Sequence, residues 1–147
     1  MGTLRGVVTT DSRDLFPVST DKAPTPAGHY SQAIIAGRHL YISGQLPIRA
    51  DRQPLSDTSF EAQAAQAIRN MLAVLAAAGG APDKLARVTA YIVGIENWPR
   101  FNAVYASIIP DTRPARTVVP VPELHHGFLV EIDAVAFLDE GSLAHGK

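Results

Sequence analysis

The sequence contains no cysteine, and this absence excludes disulfide bonds, thiolate zinc sites and a cysteine nucleophile. Charge is scarce as well, because only 18% of the 147 residues are Asp, Glu, Lys or Arg. The 13 basic and 14 acidic residues give a formal net charge of −1. A chain this close to neutrality has no general attraction for nucleic acids or anionic membranes, so we expect neither as a partner.

Long apolar runs and common ligand-binding motifs are also missing. No run approaches the roughly 18 residues of a membrane span, and the N-terminal residues lack the apolar segment of a secretory signal. We therefore expect a cytoplasmic protein. The sequence has no Walker loop, no GxGxxG and no HxxxH. Adjacent histidines make a poor bidentate pair, so His125 and His126 are interpreted as a solvated turn, and no metal or cofactor is predicted.

What is present is the composition of one folded domain, with 46% hydrophobic residues. Prolines and polar residues predict an extended N-terminal arm over residues 1–22. A single domain over residues 23–138 and a polar tail over residues 139–147 complete the predicted organisation.

Hydrophobic periodicity and turn signals predict five strands and two helices within the domain. Gly37 and Arg38 form the turn of a hairpin. Thr58 and Glu61 have the spacing of a capping box at the start of the first helix, and Asn97 is a suitable N-cap for the second. The predicted strands cover residues 33–36, 39–43, 85–93, 115–121 and 128–137. The order β-β-α-β-α-β-β favours an α+β fold with both helices on one face of a mixed sheet.

Charged residues interrupt the last two apolar strands. Arg116 lies in one strand, and Glu131 and Asp133 lie on one face of the next. Buried charges are costly unless they are paired, so the connection at residues 122–127 is expected to bring Arg116 close to Glu131. One interpretation is a structural salt bridge between the strands. The other is a guanidinium that binds a small carboxylate beside an acid–base group.

Two further segments adjoin the predicted hairpin: residues 28–32 precede its first strand and residues 43–47 follow its second. Gly44 suggests either a close backbone approach or a positive φ. An ordinary turn remains the alternative interpretation for both segments.

Together these segments resemble the RidA/YjgF family, also known as reactive-intermediate deaminases or L-PSP endoribonucleases. The resemblance rests on GHYSQA at residues 28–33, SGQLP at 43–47, RPART at 113–117 and VEIDA at 130–134. It implies a chorismate-mutase-like fold that forms a homotrimer with ligand clefts between subunits. It also implies hydrolysis of reactive 2-imino or enamine acids, such as 2-iminopropanoate and 2-iminobutanoate, to 2-keto acids and ammonia without metal or cofactor.

The resemblance assigns a role to each matching residue. Arg116 is expected to bind the substrate carboxylate, and Glu131 is expected to hold or activate the water. The expected substrate-binding residues around them are Tyr30, Gly44, Asn102 and Thr117.

The chain departs from the family pattern at three positions. His29 replaces the usual proline, and Thr117 and Val118 stand where many active members carry Ser or Cys, which leaves the identity of the substrate open. Two other functions are alternatives: an RNA-acting endoribonuclease or translation inhibitor, and a non-catalytic protein that binds small carboxylates.

Overall fold

The computed structural model describes residues 14–140, so the first part of the predicted arm and most of the predicted tail lie outside the described residues. In chain order the main elements are β1 (Leu15–Val18), β2 (Ala33–Ala36), β3 (His39–Gln45), α1 (Phe60–Ala77), β4 (Leu85–Val93), α2 (Trp98–Ile108), β5 (Ala115–Val121) and β6 (Val130–Phe137). Short 3-10 turns occupy Pro82–Lys84, Ile95–Asn97 and His125–Gly127.

The strands form one mixed sheet in the order β1-β2-β3-β6-β4-β5. The pair β4 and β5 is parallel, and the other neighbouring pairs are antiparallel. The expectation that the last two strands lie side by side is wrong, because β4 lies between β5 and β6. Strand β6 is buried at alternate residues and fits the centre of the sheet, whereas β5 contains a proline, which an edge strand tolerates.

Both helices pack on one face of this sheet, which confirms the predicted α+β architecture. The covered face of β6 consists of residues that are at most 3% exposed: Val130, Ile132, Ala134 and Ala136. The opposite face, which we call the open face, has no helix on it within the described chain. Its residues include Ile34, Tyr41, Val135 and Phe137.

Strand β1 lies within the region that was predicted to be an unpacked arm, so the arm prediction is wrong for residues 15–18. The strand pairs with β2 in antiparallel register, with Pro17 opposite Ile34. A proline is tolerated here because β1 is an edge strand and has one neighbour. The side chains that favour a strand here are those of Leu15, Phe16 and Val18. Pro17 is the residue that favoured an unpacked arm.

The start of α1 differs from the predicted capping box by one residue. Ser59, not Thr58, is the N-cap, and its hydroxyl accepts a hydrogen bond from the backbone N–H of Ala62 at 3.1 Å. Glu61 instead accepts two hydrogen bonds from Arg100 of α2, at 2.7 and 2.8 Å. The predicted spacing was right for a helix start, but with Ser59 as the N-cap Glu61 is the second helical residue and not the third that a capping box requires.

Asn97 is the N-cap residue of α2, as predicted, although its side chain bonds elsewhere. Its amide donates to the backbone oxygen of Val93 at 2.9 Å and accepts from Arg100 at 2.8 Å. Within residues 14–140, no helix combines the length and the apolar character needed to cross a membrane.

Candidate active site

The register of the sheet places Arg116 and Glu131 on opposite faces. Arg116 is the partner of Val88, which is fully buried beneath the helices. Glu131 is the partner of Tyr91, which lies on the open face. Because side chains of registered partners share a face, the guanidinium points to the helix side and the carboxylate to the open side. The expectation that one chain brings Arg116 and Glu131 together is therefore wrong.

Arg116 lines a cavity of about 520 Å³ between the edge strand β5 and helix α2. Its lining residues include the polar residues Asn102, Thr112, Arg113 and Arg116, and also Tyr105. We call this the Arg116 cavity. Strand β5 brings Arg116 here because it is at the edge of the sheet, where a charged side chain on the helix side still reaches solvent.

The Arg116 guanidinium is held in place by three neighbours. One Nη donates to Oδ1 of Asn102 at 2.7 Å. The guanidinium carbon lies 5.0 Å from the ring centre of Tyr105 and 5.7 Å from that of Phe101. Cation–π contacts of this kind occupy the face of the guanidinium and leave its edge free for ligands.

No carboxylate within the described chain pairs with Arg116. The interpretation as an interstrand salt bridge is therefore wrong for this chain taken by itself. A half-buried guanidinium whose protein partner is a neutral amide can bind an external carboxylate through two parallel hydrogen bonds.

Tyr105 contributes a feature that the sequence did not reveal. The residue is 4% exposed, and its hydroxyl has no hydrogen-bond partner among the described residues. Burial raises the pKa of this phenol, and the positive charge of Arg116 acts in the opposite direction. The regular apolar stripe of α2 predicted Tyr105 only as a core residue, and its contact with Arg116 depends on the tertiary structure.

Glu131 lines a second cavity, of about 570 Å³. We call this the Glu131 cavity. Tyr30, Gly44, His125 and His126 also line it. Three predicted site residues, Tyr30, Gly44 and Glu131, therefore lie together, and Asn102 and Arg116 lie together elsewhere.

Gly44 allows the carboxylate of Glu131 to lie against the backbone of β3. A Cβ atom at residue 44 would be 2.5 Å from Oε2 of Glu131 and 3.0 Å from its Cδ. The register shifts by one residue between Ile42 and Gln45, so Gly44 is part of a β-bulge. Its φ is not among the positive ones of the chain, so the glycine is required for close approach and not for a left-handed backbone.

The pKa of the Glu131 carboxyl is raised, mainly because burial disfavours its charged form. The negative charge of Asp133 raises this pKa further, whereas His125 lowers it. Burial also raises the pKa of Asp133, and a hydrogen bond with Tyr91 lowers that pKa in part. Glu131 is therefore a stronger proton acceptor than an exposed glutamate when it is ionised.

His125 and His126 were interpreted as a solvated turn, and both are indeed exposed, yet both line the Glu131 cavity. The turn is tight: His126 has a φ of 58° and Gly127 a φ of 76°. The ring of His126 meets the buried ring of Phe128 edge-on, with centres 6.1 Å apart. Their position beside Glu131 follows from the pairing of β6 with β3 and β4, which no local pattern in the sequence indicates.

The remaining predicted site residues lie as follows. Tyr30 is half exposed, and Gln32 behind it anchors its loop through hydrogen bonds to the backbone oxygens of Thr20 and Pro24, each at 3.0 Å. Thr117 lies on the open face, where its hydroxyl accepts from Arg87 at 3.1 Å. Thr117 lines neither of the two cavities. Residues 14–140 contain no group of three or more His, Asp or Glu side chains that could hold a metal ion.

The fold is an α+β sheet with one helical layer. An arginine at the edge of the sheet and a glutamate on its open face form the candidate site. Fold and site together define the class of protein with which this chain is compared. The profile of the Endoribonuclease L-PSP family matches residues 20–138. The chain belongs to this family, which is also called the YjgF/RutC/RidA family.

Curated relatives and solved structures agree with this assignment. A RutC family protein of Pyrococcus horikoshii is 37% identical over 120 residues, which are 82% of this chain and 95% of the relative. The Rid family protein YyfA of Yersinia pestis is 39% identical with a TM-score of 0.81, over 84% of this chain and 99% of that one. TdcF of Escherichia coli, solved with bound serine, is 26% identical with a TM-score of 0.79, over 84% and 99%.

Proposed function

We propose that this protein is a hydrolytic deaminase of reactive 2-imino or enamine acids, which it converts to 2-keto acids and ammonia. The observation that carries the proposal is Arg116, a guanidinium oriented by Asn102 and Tyr105 and without an acidic partner in the described chain. Such a group suits a small carboxylate ligand. 2-Iminopropanoate and 2-iminobutanoate are the simplest substrates of this class.

Each complete site is proposed to form between two copies of the chain. Arg116 and Glu131 are on opposite faces of one sheet, so a single chain offers a carboxylate-binding half and an acid–base half in separate places. A homotrimer that places the Arg116 cavity of one copy against the Glu131 cavity of the next unites the two halves. Closed cyclic symmetry repeats this contact and gives three equivalent clefts.

The open face supports assembly. Tyr41 is 49% exposed and Phe137 is 42% exposed, and Ile34 and Val135 lie beside them. Contiguous apolar surface of this kind marks a contact with another protein surface. We propose that it packs against the equivalent faces of the other copies.

The proposed reaction needs one water and one proton acceptor. Arg116 holds the carboxylate of the iminium acid, and Glu131 accepts a proton while the water oxygen bonds to the imine carbon and the C=N electron pair moves to nitrogen. Glu131 then returns the proton to this nitrogen. The C–N bond breaks, ammonia leaves, and the hydroxyl proton passes to Glu131 or to ammonia as the keto group forms.

Two competing functions make different demands on the same residues. A non-catalytic binding protein needs Arg116 but not Glu131, and the serine bound to TdcF is compatible with either a binding or a catalytic cleft. The family description includes the word endoribonuclease. The net charge of −1 provides little general attraction for RNA.

A coupled assay tests the proposal. An amino-acid oxidase generates 2-iminopropanoate or 2-iminobutanoate, and the rate of imine loss is measured with and without the protein. Acceleration by the wild type that is lost in Arg116→Ala supports the deaminase. Binding of a keto acid without acceleration supports the binding protein, and cleavage of an added RNA without imine hydrolysis supports the endoribonuclease.

A further inference from the structure

The Arg116 cavity is lined by a second arginine that the proposed reaction does not use. Arg113 lines the cavity three residues before Arg116, and it makes no hydrogen bond or ion pair with any described residue. No Asp or Glu is among the residues that line this cavity. Two arginines therefore line one cavity, and the described chain supplies no acidic side chain to that lining.

Two like charges in one cavity repel each other, and an anion between or beside them relieves that repulsion. A simple 2-keto or 2-imino monocarboxylate neutralises one guanidinium and leaves the other without a partner. The cavity of about 520 Å³ also has space beyond Arg116, bounded by Thr112 and the apolar side chains of Ile109 and Pro110.

We propose that Arg113 is a specificity-determining residue and that the cleft prefers dicarboxylic 2-imino and 2-keto acids. The first carboxylate binds Arg116 and the second binds Arg113. Arg113 is exposed and Arg116 is half-buried, so the arrangement fits a ligand whose reacting end is inside and whose distal carboxylate is near the mouth of the cavity. This inference rests on the proposed function for the reacting end of the ligand.

The test measures binding separately from catalysis. Calorimetric titration of the full-length protein compares 2-oxoglutarate, which has two carboxylates, with 2-oxobutanoate, which has one. We expect 2-oxoglutarate to bind about tenfold more tightly, since an additional hydrogen bond between charged groups contributes on this scale. Arg113→Gln should remove this difference and leave the affinity for 2-oxobutanoate unchanged within about twofold.

Arg69→Gln is the matched control. Arg69 is also an exposed arginine without a partner in the described chain, but it lies on α1 and outside the cavity. Arg69→Gln removes the same charge from the protein as Arg113→Gln, and this variant should keep the preference for 2-oxoglutarate. Melting temperature and oligomeric state of each variant confirm that the fold is retained.

The outcomes that overturn the inference can be distinguished from one another and from a failure of the proposed function. Equal affinity for the two acids, or no binding of either, contradicts the dicarboxylate preference. A preference that survives Arg113→Gln removes Arg113 from it. If inorganic phosphate binds as tightly as 2-oxoglutarate and is equally weakened by Arg113→Gln, the cavity is an unselective anion site. A preserved preference for 2-oxoglutarate without imine hydrolysis contradicts the proposed function and leaves this inference standing.

Discussion

Gly44 lies so close to Glu131 that a Cβ atom at this position would be 2.5 Å from the carboxylate oxygen. The carboxylate therefore fits against the bulge of β3 only because residue 44 has no side chain. Gly44→Ala must displace Glu131, because the contact is shorter than two such atoms tolerate. We expect a large loss of imine hydrolysis with a folded protein, measured by the coupled assay and by circular dichroism.

Gly28→Ala is the control for this variant. Gly28 lines the same cavity, but a Cβ atom there would meet Tyr30 at 3.5 Å, which is an ordinary contact. Gly28→Ala should leave the rate of imine hydrolysis within about twofold of the wild-type rate. Equal activity of the two variants would show that the position of the Glu131 carboxylate does not control the reaction.

Arg116→Ala is expected to lower the rate of imine hydrolysis by roughly 30- to 1000-fold, because it removes charge-assisted hydrogen bonds to the substrate carboxylate. Arg116→Lys should restore little, since lysine keeps the charge but loses the planar fork. The melting temperature should fall only modestly, because Arg116→Ala removes the hydrogen bond to Asn102 and the ring contacts but no ion pair within the described chain. Wild-type turnover in folded Arg116→Ala would disprove the catalytic assignment.

Glu131→Gln is expected to lower turnover, to preserve keto-acid binding and to raise the melting temperature at neutral pH. The folded protein raises the pKa of this carboxyl above its ordinary value of 4.5. The folded state therefore binds the proton more tightly than the unfolded state, and stability falls as pH rises from about 4.5 through the folded pKa. Above that range the ionised carboxylate destabilises the fold, and glutamine removes this effect. Equal melting temperatures of Glu131→Gln and the wild type at every pH from 4 to 8 would contradict this prediction.

The pH dependence of the rate provides a fourth prediction. The proposed reaction needs ionised Glu131, so the rate should fall as pH decreases through its raised pKa. His125 lowers that pKa, and His125→Gln should therefore shift the acid limb of the rate profile to higher pH. His126 lines the same cavity but is not among the groups that shift the pKa of Glu131. His126→Gln should therefore leave the acid limb of the rate profile in place. Identical shifts in both variants would assign the effect to the loop and not to the charge of His125.

Tyr41→Asp should dissociate the proposed homotrimer, because it places a charge on the apolar open face. Activity should be lost with the assembly, since each site needs residues from two copies. Ile95→Asp is the control, because Ile95 is 60% exposed but lies in the turn before α2. Light scattering gives the oligomeric state. A monomeric wild type at micromolar concentration, or an active monomeric variant, would contradict the proposed clefts.

The amino-acid sequence by itself predicted most of the secondary-structure elements and the charged residues of the candidate site. The hairpin around Gly37, the extent of the helix from Phe60 and the strand at Leu85–Val93 follow from periodicity and turn residues, which are local properties. Arg116 and Glu131 were identifiable because each interrupts an apolar strand. The family resemblance added their expected roles. Local signals placed the N-cap of α1 one residue too early, at Thr58 and not Ser59, and missed strand β1.

The tertiary structure alone decided where these residues lie relative to one another. The insertion of β4 between β5 and β6 depends on packing across the whole sheet, and no pattern within either strand encodes it. Since side chains alternate between faces, the register then determines that Arg116 points to the helices and Glu131 away from them. The same non-local pairing brings His125 beside Glu131.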